Sequence, residues 1–236
     1  MSSLSLPNTA PARTGLRQSR LAGALLIAGP ATILLAEFIS AAAWTDPPYS
    51  YTRNFISNLG VQGPSTLFGQ YMESPLYWLM NSGFFLFGII TFIGIALLRG
   101  LRGWRRWVVI LPAAALAAGG VLLGLFPGSG ESVDDGTGDF HSMGAFAGFI
   151  GANIVAVLLG RMRDRIGLST GMGRALVIVG IISLVSTVTY FVVLVSGGET
   201  IGVIGLIERG ATHPFLITML CAGASIVRRP GALIGG

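Results

Sequence analysis

The chain has 236 residues, of which 52% are hydrophobic and only 11% are charged, and it contains 35 glycines. This balance is typical of a membrane protein and excludes an ordinary cytosolic domain. The formal net charge of +5 would suggest a nucleic-acid partner in a soluble protein, but the placement of the basic residues explains it without one.

Six long apolar segments follow one another along the chain, at residues 21–44, 75–98, 107–126, 140–160, 175–196 and 202–227. A helix needs about 20 mostly apolar residues to cross a bilayer core of about 30 Å, and each segment is long enough. The sequence therefore predicts an all-α, polytopic membrane bundle of six transmembrane helices over residues 20–229. We expect a disordered cytoplasmic tail at residues 1–19 and a short one at residues 230–236. A cleavable signal peptide is disfavoured, because the first apolar segment exceeds the typical length of about 7–15 residues.

The basic residues give the bundle a predicted orientation. All fifteen are arginines, which is typical of a GC-rich bacterial genome, and thirteen lie at the N-terminus, the C-terminus, or the second-to-third and fourth-to-fifth connections. The positive-inside rule then places both termini in the cytoplasm, in a multi-pass protein of the cell (inner) membrane. The same arginines are candidate contacts for anionic lipid headgroups, at about 1 kcal/mol for each arginine near the surface.

The connections on the other side differ in length. The first, about residues 45–74, is the longest and carries Ser57, Asn58 and Gly60. The cytoplasmic connections leave no room for a soluble domain. We therefore expect any binding or chemistry to face outward.

Polar residues within the spans are sorted by depth. Every ionisable residue inside a span lies in the predicted outer half of the bilayer, and only the uncharged Asn153 lies deeper. Because such residues are costly in a membrane, this sorting favours one shared outward-facing site. Its candidate binding residues are Glu37, Asn58, Asn81, Asp139, Glu208 and Arg209, and its candidate catalytic residues are Ser57, His141 and His213.

The sixth segment carries the highest density of these residues. Glu208 and Thr212 share one helix face, as do Arg209 and His213, because four residues separate each pair. Pro214 predicts a kink. Arg209 has two interpretations: it clamps a phosphate or oxyanion, or it pairs with Glu37 or an outer-loop acid and locks the bundle.

His141 and His213 are the only histidines. Asp139 precedes His141 at a predicted helix start, where a carboxylate can act as the N-cap. An alternative gathers Asp139, His141, Glu208 and His213 around a metal or an activated water. The spacing contains no metal-binding motif, so we predict no cofactor and keep the two histidines as weak metal candidates.

Several short motifs resemble one family of bacterial multi-spanning proteins. They are Ser57-Asn58-Leu59-Gly60, Gly124-Leu125-Phe126-Pro127 ahead of His141, and Gly205-Leu206-Ile207-Glu208-Arg209. These stretches resemble the domain of unknown function 998 family, with Asn58 where that family usually has Asp. The resemblance spans about residues 20–228 and implies a six-helix bundle with an outer-face site, but no established activity.

Three functions fit this pattern. Two are preferred: a membrane protein that binds a lipid or small molecule, and an accessory protein with a membrane protein partner. The alternative is a membrane-embedded hydrolase or transferase acting on lipid, with Ser57 as nucleophile or donor, a histidine as base and Arg209 as clamp. An enzyme predicts that both histidines line one cavity. A binder predicts a basic or aromatic pocket without a positioned nucleophile, and an accessory subunit predicts no cavity.

Overall fold

The computed structural model describes residues 19–197 and 202–228. Within these residues six helices are long and apolar enough to cross a membrane, namely α1 (Arg20–Ala43), α2 (Tyr77–Ala96), α3 (Trp104–Leu125), α5 (Gly138–Arg161), α7 (Thr170–Val195) and α8 (Ile204–Val227). Two short helices, α4 (Gly130–Asp134) and α6 (Arg163–Ile166), lie in the connections. The predicted all-α bundle of six spans is confirmed. The predicted tails at 1–19 and 230–236 lie outside the described residues, apart from Ser19.

The six spans form a closed ring. Each packs against the next in chain order, and α8 packs against α1. Consecutive helices are antiparallel neighbours, so α1, α3 and α7 end where α2, α5 and α8 begin. We call this the loop end of the bundle. The opposite, arginine-rich end carries the connection that contains Arg99 and the connection that contains α6.

Glycines allow the helices of the ring to approach closely. A methyl group on Gly119 of α3 would lie 2.5 Å from the backbone nitrogen of Gly148 on α5. One on Gly23 of α1 would lie 2.9 Å from the carbonyl oxygen of Gly223 on α8. Small residues at such crossings let backbones touch, which is a common way to join helices in a membrane.

The first connection, residues 45–74, folds back over the loop end, and we call it the cap loop. It contains a 3-10 helix (Ile56–Gly60) and an antiparallel hairpin of β1 (Ser65–Leu67) and β2 (Gln70–Met72). The 3-10 helix buries all its residues except Ser57, which is partly buried. The segment that carries Ser57 and Asn58 therefore covers the helix ends, as the enzyme hypothesis required.

Asn153 joins three helices below the polar site. Its side-chain amide donates to the carbonyl of Ala211 on α8 at 3.0 Å and to the hydroxyl of Thr187 on α7 at 3.3 Å. The one strongly polar residue predicted at depth thus has partners on two neighbouring helices.

Candidate functional site

Arg209 on α8 is the centre of the polar cluster and is only 5% exposed. Its Nε donates to Glu37 Oε1 at 3.0 Å, and its Nη1 donates to the carbonyls of Tyr51 and Asn54 at 2.7 and 3.0 Å. Its Nη2 donates to the hydroxyl of Tyr49. Each guanidinium nitrogen is bonded within the protein, so this geometry fits the locking interpretation of Arg209 and not the clamp. Arg209 ties α8 to α1 and to the cap loop.

Glu37 on α1 bridges two residues of α8. While Oε1 binds Arg209, Oε2 lies 2.8 Å from His213 Nε2. Glu37 is 1% exposed, and both of its oxygens have partners. Removing either partner would leave a buried charge uncompensated, which is strongly destabilising.

Two tyrosines of the cap loop cover the guanidinium. Arg209 Cζ lies 4.9 Å from the ring centroid of Tyr51 and 5.6 Å from that of Tyr49, within the range of cation–π attraction. Burial raises the pKa of the Tyr49 phenol, although the charge of Arg209 opposes the shift. The phenol therefore remains protonated and also donates to the carbonyl of Phe55 at 3.0 Å.

Glu208 has different surroundings, because adjacent helix residues lie about 100° apart around the axis. It is 4% exposed, and its Oε2 accepts a hydrogen bond from the backbone N–H of Ile56 at 2.6 Å. This bond fastens the start of the 3-10 helix to α8. The other oxygen, Oε1, has no hydrogen bond to any residue that the structure describes.

A cavity of about 320 Å³ lies inside the ring, and all six spans contribute to its wall. Most of the wall is apolar, with eight aromatic side chains: Phe55, Phe68, Phe84, Phe87, Phe149, Tyr190, Phe191 and Phe215. Three lining residues are also well exposed: Phe68, Val133 and Val195. They belong to the hairpin tip, α4 and the last turn of α7, so the cavity reaches the surface at the loop end.

His141 lines this cavity from α5. Its Nδ1 bonds the carbonyl of Phe126 at 2.8 Å, and its Nε2 has no hydrogen bond to any of the residues described. Ser57 lines the same cavity. Within the described residues, however, no hydrogen bond joins the Ser57 hydroxyl to His141 or His213.

The cavity brings together five of the residues singled out from the sequence: Glu37, Ser57, Asn58, His141 and Glu208. The other four do not line it: Asn81, Asp139, Arg209 and His213. The two histidines therefore do not share the cavity.

Asn81 and Asp139 are two of the candidate residues that do not line the cavity. Asn81 on α2 donates to the carbonyl of Gly60 at 2.9 Å and so holds the 3-10 helix. Asp139 is exposed within the first turn of α5, and the N-cap is Thr137. The predicted N-cap role of Asp139 is wrong because the helix begins earlier than its apolar segment. In the part of the chain described, no group of three or more His, Cys, Asp or Glu residues is placed to hold a metal ion.

Sequence reasoning missed Gln70. Its Oε1 accepts from the amide of Asn58 at 2.6 Å, and its Nε2 donates to the carbonyl of Arg53 at 2.9 Å. Gln70 thereby fixes the Asn58 side chain at the cavity wall. Nothing in the local pattern distinguishes Gln70, since it lies in a strand of three residues. The aromatic wall was missed because a sequence does not distinguish an aromatic side chain that lines a cavity from one that faces lipid.

A family model described as "Protein of unknown function (DUF998)" matches residues 14–225. No curated protein and no solved structure matches the chain.

Proposed function

The chain belongs to the DUF998 family, whose function is unknown, and we propose that it binds one hydrophobic molecule with a small polar end in the cavity among its six spans. The observation that carries the proposal is the aromatic cavity inside the ring, with an opening at the loop end.

The dimensions and wall support a small-molecule site. Ligand pockets measure about 300–1,000 Å³ and combine apolar walls with a few placed polar groups. This cavity, at about 320 Å³, lies at the lower end of that range. It suits a single-chain or compact molecule better than an intact two-chain lipid. Its polar groups, including Ser57, Asn58 and Glu208, gather toward the cap loop and would receive the polar end.

The binding function has better support than the lipid hydrolase alternative. A nucleophile and its base need to be within hydrogen-bond reach, about 2.6–3.2 Å. Ser57 has no such bond to a histidine, whereas an aromatic pocket without a positioned nucleophile is what a binder requires. The accessory-subunit alternative predicted no cavity.

We further propose the orientation of the bundle in the bacterial inner membrane. The arginine-rich end faces the cytoplasm, where it contacts anionic headgroups, and the loop end faces outward. Alkaline phosphatase fused at the C-terminus should be inactive, since the enzyme works only outside the cytoplasm. The same enzyme inserted at Asp134 in α4 should be active. The reverse result would overturn the orientation.

A cavity-filling pair of variants tests the binding function. Ala145 lines the cavity, whereas Ala114 on α3 is exposed. Ala145→Phe should abolish binding of dodecanol to the purified protein, measured by equilibrium dialysis and native mass spectrometry, and Ala114→Phe should leave it unchanged. If Ala145→Phe binds dodecanol as well as the native protein, the cavity is not the site. A hydrolase would instead release cleaved products from an ester of dodecanol, and Ser57→Ala would stop that release.

A further inference from the structure

The charges around the cavity are unevenly distributed. Its ionisable lining residues are Glu37, Glu208, His141 and Tyr190, and no arginine or lysine lines it among the residues described. Arg209, the buried cation nearby, is bonded to Glu37 and the cap loop. The wall therefore offers carboxylates and an imidazole to a ligand, but no fixed cation.

Only one of the two carboxylates has an oxygen left to bind a ligand. Glu37 uses both oxygens, one for Arg209 and one for His213. Glu208 uses Oε2 for the N–H of Ile56, and its Oε1 has no partner among the described residues. When both carboxylates are ionised and the histidines are neutral, two carboxylates and one guanidinium leave one negative charge uncompensated. An isolated carboxylate in such surroundings is strongly unfavourable, so a positive group near Glu208 Oε1 would be stabilised.

We propose that the ligand is a cationic amphiphile, an apolar chain or ring system that ends in a single ammonium group, and that Glu208 binds this ammonium. The inference rests on the proposed binding function and adds the chemical class of the ligand. The ammonium N–H groups donate to Glu208 Oε1, while the apolar part lies against the aromatic wall.

The remaining wall fits this ligand. Tyr190 and Phe149 both line the cavity, with ring centroids 5.7 Å apart. Aromatic ring faces attract ammonium groups, and they also pack against apolar chains. A phosphate or carboxylate head would instead meet Glu37 and Glu208 with no cation beside it in the wall. The lining thus discriminates by charge as well as by hydrophobicity.

The test compares three probes of equal chain length: dodecylammonium, dodecanol and dodecanoate. Equilibrium dialysis against the purified protein, with native mass spectrometry to count bound molecules, gives each dissociation constant. Because hydrogen bonds to charged groups are about twice as strong as neutral ones, dodecylammonium should bind about 10-fold or more tightly than dodecanol. Dodecanoate should bind weakest.

Two charge-removing variants locate the recognition. Glu208→Gln keeps an oxygen that can accept from Ile56. It should weaken dodecylammonium binding about 10-fold or more and should change dodecanol binding by a much smaller factor, because only the charge is removed. Asp134→Asn removes one negative charge from exposed α4, outside the cavity lining, and should bind all three probes like the native protein.

The outcomes separate the two proposals. If the native protein does not prefer dodecylammonium, or if Glu208→Gln binds it as tightly, the cationic class is wrong, and the binding function stands as long as Ala145→Phe still abolishes dodecanol binding. If Ala145→Phe leaves dodecanol bound, the binding function also fails. A further probe, a single-chain lipid whose head carries an amine and hydroxyl groups but no phosphate, identifies the source. Glu208-dependent binding of this lipid supports a membrane lipid as the ligand, and binding of dodecylammonium alone supports a free amine.

Discussion

Replacing Arg209 with methionine tests whether the buried ion pair holds the cap loop on the bundle. The change leaves Glu37, which is 1% exposed, with only His213 as a partner, and it frees the carbonyls of Tyr51 and Asn54. Removing one partner of a buried pair costs about 3–5 kcal/mol in soluble proteins, but single hydrogen bonds between membrane helices average only about 0.6 kcal/mol. Because the pair is charged and Arg209 also donates to groups of the cap loop, we expect a loss of about 3 kcal/mol in the free energy of unfolding.

The assay is reversible unfolding by sodium dodecyl sulfate in mixed micelles, followed by helical circular dichroism. Adding Glu37→Gln to Arg209→Met removes the orphaned charge and should restore about 1 kcal/mol or more. Arg174→Met makes the same substitution at an exposed position of α7 and should change stability by less than about 0.5 kcal/mol. Equal stability of Arg209→Met and Arg174→Met would refute the reasoning, as would a double variant no more stable than Arg209→Met.

Three further predictions concern packing, pH and the cap loop. Gly119→Ala should cost about 1–3 kcal/mol in unfolding free energy, because its methyl group would lie 2.5 Å from a backbone nitrogen. Gly148→Ala should be neutral, because the nearest atom to its methyl group would be 3.8 Å away. The Ser65 hydroxyl donates to Glu131 and lowers its pKa below the ordinary value of 4.5, so this stabilisation is present above that value and is lost as the pH falls through the folded-state pKa. In Ser65→Ala, the melting temperature should therefore fall less steeply between about pH 5 and pH 3 than in the native protein. Gln70→Ala should cost about 1 kcal/mol and speed hydrogen exchange at residues 53–58, and unchanged exchange would contradict its role in the cap loop.

The six spans were predictable because length and apolar composition alone decide what can cross a bilayer. Their neighbours were partly predictable, since the short connections after α2, α5 and α7 force consecutive helices together. The closure of α8 against α1 was not, because it depends on a close approach of Gly23 and Gly223 that no local pattern encodes.

The candidate site was predicted in part. Depth in the membrane singled out Glu37 and Glu208, and both line the cavity. Depth also singled out Asp139, which is exposed, because position along a helix does not specify which way a side chain faces. The hairpin of the cap loop escaped prediction because strands of three residues are too short to show an alternating pattern.

The bond between Glu37 and Arg209 joins residues that are 172 positions apart in the chain. At about 5–20 residues per second, a ribosome needs roughly 10–30 s to make the intervening segment. During biosynthesis the first helix therefore waits in or near the membrane with its carboxylate unpaired. A transcript truncated before α8 would yield a five-helix product in which that acid lacks both of its partners, Arg209 and His213.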